Sequence, residues 1–167
     1  NWPRHKAWHK EQKAVESDWM TDENLLTTQK VARLLDETGN ESAKLYGQAI
    51  SLVSEGDYSG AVRAFRKLIK MSPETPMPYV TLASVLIMSN KTPDAASCYF
   101  KALELYEEGS KGWLLAVASL FDLLKLPDCQ EIPKPKWWND EDLKVLSAQV
   151  VAKAPDDNQA CMMRAHV

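Results

Sequence analysis

The chain has 167 residues and a net charge of −3, with 45% hydrophobic and 26% charged residues, which is enough for a domain with a buried core. This mildly acidic composition provides no general attraction for nucleic acid or for an anionic membrane. No apolar run approaches the ~20 residues that span a bilayer. We therefore expect neither nucleic acid binding nor membrane insertion.

The remaining composition favours an all-α protein in a reducing, intracellular compartment. Six glycines are few, and the alternation of apolar and polar residues that is typical of strands is almost absent. Cys98, Cys129 and Cys161 are odd in number and too far apart for a metal-ligand spacing. The sequence starts at Asn1 and stops within an apparent helix, so we expect it to be part of a longer protein.

Residues 1–40 are predicted to form an N-terminal extension that contains one helix. Thr21 is suited to cap its N-terminus, acidic residues follow in the first turn, and Gly39 ends it. Its apolar face consists of Leu25, Val31, Leu34 and Leu35. Two interpretations stay open: a degenerate helix pair over residues 8–41, or a plain capping helix.

The next segment, from Glu41 to Pro73, reads as two amphipathic helices joined by a turn. Gly56 interrupts the apolar periodicity, and Asp57 can cap the helix that follows. The two apolar stripes are Leu45, Ala49 and Leu52, and then Ala61, Phe65, Leu68 and Ile69. Pro73 ends the second helix, because proline disfavours helical backbone in the residue before it.

The same pattern returns 34 residues further on. The corresponding residues are Tyr79, Ala83, Leu86, Ala95, Tyr99 and Ala102, which stay apolar or aromatic. Small residues recur at the positions where paired helices are expected to approach closely. The position that holds Phe65 in the first copy holds another aromatic residue, Tyr99, in the second. A repeated helix pair is therefore predicted.

This period and these residues resemble the tetratricopeptide repeat (TPR) family. The match rests on "EGDYSGAVRAFRKLIKMSP" and "KTPDAASCYFKALEL", although Glu107 stands where the family usually has proline. The resemblance implies an all-α solenoid of antiparallel helix pairs, wound as a right-handed superhelix. It assigns repeats to residues 42–75 and 76–109, within a TPR-like domain over residues 41–167.

A third repeat, residues 110–157, departs from the pattern. Trp113 lies near the start of a strongly apolar segment that predicts the first helix of this repeat. The proline that should end the second helix is found later than the 34-residue period requires, at Pro155. We therefore predict an insertion near residues 126–139 between its helices. After Pro155 the start of a fourth helix pair is expected.

The insertion includes most of "EIPKPKWWNDEDL", whose adjacent tryptophans have two possible roles. Trp137 and Trp138 could form an exposed binding site, since tryptophan is frequent at binding hot spots. They could also plug the core, because Asn139 or Asp140 is suited to cap the next helix and a hydrophobic staple belongs just before a cap. We expect at least one tryptophan to be buried.

The resemblance also implies a binding groove along the first helices of the repeats. The predicted partner-binding residues are Tyr46, Ile50, Val53, Met77, Val80, Ser84, Ile87, Met88, Leu114 and Phe121. The resemblance places five more residues at positions that line the groove, which we call the groove register: Ala43, Ser54, Lys111, Ala118 and Asp122. Family members that clamp a terminal carboxylate use basic and amide side chains at positions that here hold Tyr46, Ile50, Thr81 and Ser84, so a chaperone tail is not expected. The apolar groove fits a protein or amphipathic peptide instead, unless the N-terminal segment or neighbouring helices fill it.

No catalytic set is evident, and no cofactor is predicted. His5 and His9 are four residues apart, but no Cys, Asp or Glu completes a metal site, so we interpret them as a surface pair. There is no glycine-rich phosphate loop and little histidine for acid–base chemistry. We therefore predict a non-enzymatic protein-interaction scaffold within a larger assembly. The alternatives are an accessory domain of a larger enzyme and a groove for an apolar peptide or lipid-like ligand.

Overall fold

The computed structural model describes residues 41–167. The helices in this range are α1 (Glu41–Ser54), α2 (Tyr58–Met71), α3 (Pro76–Met88), α4 (Thr92–Leu105), α5 (Lys111–Leu124), α6 (Asp140–Lys153) and α7 (Asn158–His166), with a 3-10 helix at Pro127–Cys129. No strand occurs in the described range, which confirms the predicted all-α class. The helix predicted between Thr21 and Gly39 and the pair His5 and His9 lie outside the described residues.

The described residues divide between two compact units, with residues 41–64 in the first and residues 65–167 in the second, and each is described by itself. The first unit contains α1 and the beginning of α2. In the second unit α3 packs on α4, α4 packs on α5, and α5, α6 and α7 pack on one another. This consecutive packing of helices makes it a helical-repeat array, in which each helix buries its apolar face against its neighbours.

The turn between α1 and α2 and the turn between α3 and α4 have the same backbone geometry. Gly56 and Asn90 both adopt a left-handed conformation, with φ of 79° and 59°. In each turn the following N–H donates back to a helix carbonyl, from Asp57 to Leu52 at 2.9 Å and from Lys91 to Leu86 at 2.8 Å. This is the hydrogen-bond pattern by which a left-handed residue ends a helix and reverses the chain.

The helix α5 does not end in this way. Leu124 lies one 34-residue period after Asn90 and is still helical. The next residue, Lys125, has a φ of −85°. Without a left-handed residue the chain does not reverse, and residues 125–139 continue through the 3-10 helix before α6 begins. This connection lies where the insertion near residues 126–139 is predicted; its interpretation as an insertion, and the repeat boundaries, stay predictions.

Side-chain caps fix the N-termini of several helices. Asp57, Ser110, Asn139 and Asp157 accept hydrogen bonds from backbone N–H groups three residues later, at 2.8 Å, 3.3 Å, 3.0 Å and 3.0 Å respectively. The predicted cap at Asp57 is confirmed. Of the two candidates before α6, Asn139 is the cap and Asp140 is the first helical residue.

The small residues that the repeat pattern singles out are fully buried. Ala49, Ala61, Ala83 and Ala95 have no exposed surface, and neither does Phe65. At the end of the array a cluster that we call the C-terminal core is formed by Trp113, Leu114, Val117, Ala118, Phe121, Leu143, Leu146, Val150, Ala160 and Met163. Because α5 is covered by α4, α6 and α7, it is apolar on almost all sides.

Candidate functional site

The predicted groove residues on α1 are mostly packed within the protein. Ile50 and Val53 are 8% and 6% exposed, and Tyr46 is half-buried. These residues belong to a different unit from α3, so the candidate surface in the second unit is built without them.

On α3 the predicted groove residues are accessible. We call this set the α3 strip; it consists of Met77, Val80, Ser84, Ile87 and Met88. Met77 is 51% exposed and the other four are half-buried. Their spacing of three or four residues places them on one face of the helix. The face is apolar except for Ser84, whose hydroxyl donates to the Val80 carbonyl at 3.2 Å.

On α5 the predicted groove residues Leu114 and Phe121 belong to the C-terminal core. Their exposed fractions are 1% and 4%, because α6 and α7 cover this face of α5. Their side chains therefore present almost no surface to a partner. The accessible residues of α5 are Lys111 at its N-terminus, which is exposed, and Gly112, Leu115 and Asp122, which are half-buried.

A buried tyrosine connects the α3 strip to α5 and α7. Tyr99, on α4, is 3% exposed, and its hydroxyl makes hydrogen bonds with Ser84 and Ser119. Burial raises the pKa of the Tyr99 phenol, and these two hydrogen bonds oppose that shift. Ser119 also contacts the Leu115 carbonyl at 3.0 Å and the side chain of Gln159 on α7. Polar contacts thus run from α3 through α4 and α5 to α7.

One turn beyond Ser119, a carboxylate lies in an unfavourable environment. Asp122 is half-buried, and burial raises the pKa of its carboxyl from 3.8 to about 6, although the charges of Lys125 and His166 oppose the shift. Within residues 41–167 no hydrogen-bond donor is bound to this carboxylate. The Lys125 ammonium does not pair with it and instead lies 5.0 Å from the centre of the Phe121 ring.

The connection 125–139 is fastened by a lysine that the sequence did not single out. Lys134 Nζ donates to the Leu124 carbonyl at 2.8 Å and to the Cys129 carbonyl at 3.3 Å. The same ammonium lies 5.3 Å from the centre of the Trp138 ring. One side chain therefore joins the end of α5, the 3-10 helix and the tryptophan pair.

The two tryptophans pack against the C-terminal core, and both are half-buried. The Trp138 ring is 5.1 Å from that of Phe121 and 6.0 Å from that of Trp137, in tilted arrangements. Trp138 directly precedes the cap Asn139 and packs against a cluster that includes Leu143, as the staple interpretation requires. Both tryptophans therefore pack on the core, but neither is fully buried, so the expected buried tryptophan is not found.

Within residues 41–167 no metal site is formed, and two of the three cysteines are at least partly shielded from solvent, whereas Cys161 is exposed. No group of three His, Cys, Asp or Glu in residues 41–167 could hold a metal ion. Burial raises the pKa of Cys98 to about 11 and also raises that of Cys129, which keeps both thiols protonated near neutral pH. No helix among those described has the length and apolarity needed to cross a membrane.

Comparison with known proteins gives one similarity to a longer chain. No protein-family model matches the sequence. It is similar to the Protein STIP1 homolog of Dictyostelium discoideum, with 26% identity over 97 residues. The aligned region covers 58% of this chain and 17% of that relative, so the similarity concerns one segment of a much longer protein. The similarity and the consecutive helix packing both fit a helical-repeat protein.

Proposed function

We propose that the chain is a non-enzymatic protein-interaction scaffold of TPR type, and that its partner docks on the α3 strip. The observation that carries this proposal is the exposure of apolar side chains along one face of α3. Met77 is 51% exposed, and Val80, Ile87 and Met88 each retain exposed surface. Methionine adapts its shape to different apolar partners, which fits a peptide-binding surface.

The partner that fits best is an amphipathic segment of a protein. The strip spans about three helical turns with apolar residues at helical spacing, which matches the apolar face of a docked helix. Its one polar side chain, Ser84, is already hydrogen-bonded to Val80 and to Tyr99, so it needs no partner atom. The strip therefore presents apolar surface without an unsatisfied polar group.

Paired substitutions in the full chain test this surface. Met77→Asp places a charge on the α3 strip, and Val145→Asp is the matched control because Val145 is 53% exposed but lies on α6, outside the predicted groove. Cross-linked partners should be recovered from lysate by the parent chain and by Val145→Asp, and lost with Met77→Asp. Equal recovery with both variants, or no protein partner at any salt concentration, would contradict the proposal.

A further inference from the structure

Asp122 lies in a position that a protein usually avoids for a carboxylate. It is in the last turn of α5, where the helix dipole is negative and disfavours another negative charge. It is also half-buried, which disfavours its ionised form. Two independent effects therefore act against this charge, and an unfavourable carboxylate near a candidate binding surface is a reason to look for a ligand.

The described part of the chain does not neutralise Asp122. Lys125 is close enough to affect it electrostatically, but its ammonium lies over the Phe121 ring. His166, on α7, also acts on it without forming an ion pair. Within residues 41–167 one ion pair is formed, between Lys101 and Glu104 at 2.7 Å, and it lies elsewhere.

The position of Asp122 relative to the α3 strip suggests a common partner. Ser119 precedes Asp122 by three residues on α5, and Tyr99 joins Ser119 to Ser84 of the strip. Three residues of helix correspond to a rise of about 4.5 Å. Asp122 also lies one 34-residue period after Met88 of the strip, so it holds on α5 the register position that Met88 holds on α3, and a segment that continues from the strip onto α5 would reach the carboxylate.

We propose that Asp122 is a cation anchor, which receives an arginine or lysine side chain of the protein segment that docks on the α3 strip. This inference rests on the proposed function and specifies the chemistry of its partner: apolar residues followed by one cationic residue. The cation provides the donors that the carboxylate lacks, and a charged hydrogen bond in a half-buried site is stronger than one in water. The recognised charge is opposite to that of a carboxylate-terminated tail.

The test uses the full chain and two labelled peptides of the same apolar sequence. One peptide carries a single arginine and the other carries citrulline, which has the same shape without the charge. The chain variants are the parent, Asp122→Asn, and the control Asp128→Asn, which changes an exposed acid in the 3-10 helix. The two substitutions keep side-chain size, and circular dichroism checks that each variant is folded.

We expect the parent and Asp128→Asn to bind the arginine peptide on the order of tenfold more tightly than the citrulline peptide. Asp122→Asn should abolish this preference while still binding both peptides. Carbon NMR of the Asp122 carboxyl should show its pKa falling when the arginine peptide is bound.

Equal affinity for both peptides in the parent chain, or an unchanged preference in Asp122→Asn, would overturn the cation anchor and leave the apolar docking surface intact. If neither peptide binds to any variant, the anchor and the proposed function both fail. A further variant, with Arg4, Lys6 and Lys10 changed to glutamine, tests the chain's own basic segment as the occupant. If peptide binding appears only in that variant, the chain's own segment covers the surface in the parent, and the proposal that an external partner occupies it is overturned.

Discussion

The Asp122→Asn variant should be more stable than the parent chain at neutral pH, and this advantage should vanish in acid. In the folded chain burial raises the pKa of the Asp122 carboxyl from 3.8 to about 6. Between about pH 4 and 6 the folded state therefore binds more protons than the unfolded state, so the free energy of unfolding falls as the pH rises. Above about pH 6 the full cost of the buried charge is present, and below about pH 4 it is absent.

The magnitude follows from the shift. About two pKa units correspond to roughly 3 kcal/mol, since one unit is about 1.4 kcal/mol. Asp122 keeps some exposed surface, so solvent screening reduces this value, and we expect Asp122→Asn to gain about 1–3 kcal/mol at pH 7. The gain should shrink to nearly zero at pH 4.

Urea unfolding of both full-length chains between pH 4 and 7.5 measures this difference, because the other carboxylates contribute equally to both. Repeating the series with His166→Gln in each chain removes the interaction between His166 and the Asp122 carboxylate, and Asp128→Asn serves as the exposed control. A stability difference that does not change with pH, or an Asp122→Asn variant that is less stable at pH 7, would falsify the assignment of a buried, unpaired charge.

Three further changes test the packing, the turns and the connection. Phe65→Ala should lower the free energy of unfolding by ~3–5 kcal/mol, since Phe65 has no exposed surface, and a loss below about 1 kcal/mol in urea unfolding would contradict the repeat register. Asn90→Ala should lower the free energy of unfolding by about 1–2 kcal/mol, because alanine is strained at the left-handed φ of 59°. Asn90→Gly should leave the free energy of unfolding nearly unchanged. If thermal unfolding shows the same loss for both variants, Asn90 does not form a turn that ends α3. Lys134→Met should lower the free energy of unfolding by ~1–3 kcal/mol, because two carbonyl groups lose their hydrogen-bond donor. It should also shift the fluorescence of Trp138, whose ring the ammonium contacts. An unchanged spectrum would show that Lys134 does not hold the connection.

The parts of the fold that sequence could predict depend on residues close together in the chain. Asp57 and Asn139 cap helices through an N–H three residues away, so the residue type and its position are enough. The period of small residues also predicted which alanines are fully buried. Asn90 and Gly56 belong to residue types that tolerate a left-handed backbone. Asparagine also occurs widely outside such turns, so Asn90 alone does not predict the turn between α3 and α4.

The candidate site was harder to predict because its contacts join distant residues. Ser119 and Gln159 are in contact only because α7 packs on α5, and neither segment contains a sequence pattern that predicts this contact. The groove register could place Leu114 and Phe121 on one face of α5, but it could not say that later helices cover that face. A register position thus describes orientation within a repeat, whereas accessibility depends on the next helices of the array.

The unusual connection has a physical cause in one residue of α5. Leu124 stands where a left-handed residue would otherwise end the helix, so the chain runs on, and the N–H groups of Lys125 and Leu126 donate to the Asp122 and Leu123 carbonyls at 3.3 Å and 3.0 Å. The Lys134 ammonium supplies a donor to the Leu124 carbonyl at 2.8 Å, and this hydrogen bond holds residues 125–139 against the end of α5. Once held there, Trp138 reaches the Phe121 ring, and the Phe121 ring in turn attracts the Lys125 ammonium. That cation is the nearest in sequence to Asp122, and because no ion pair joins the two within residues 41–167, burial still raises the pKa of the Asp122 carboxyl.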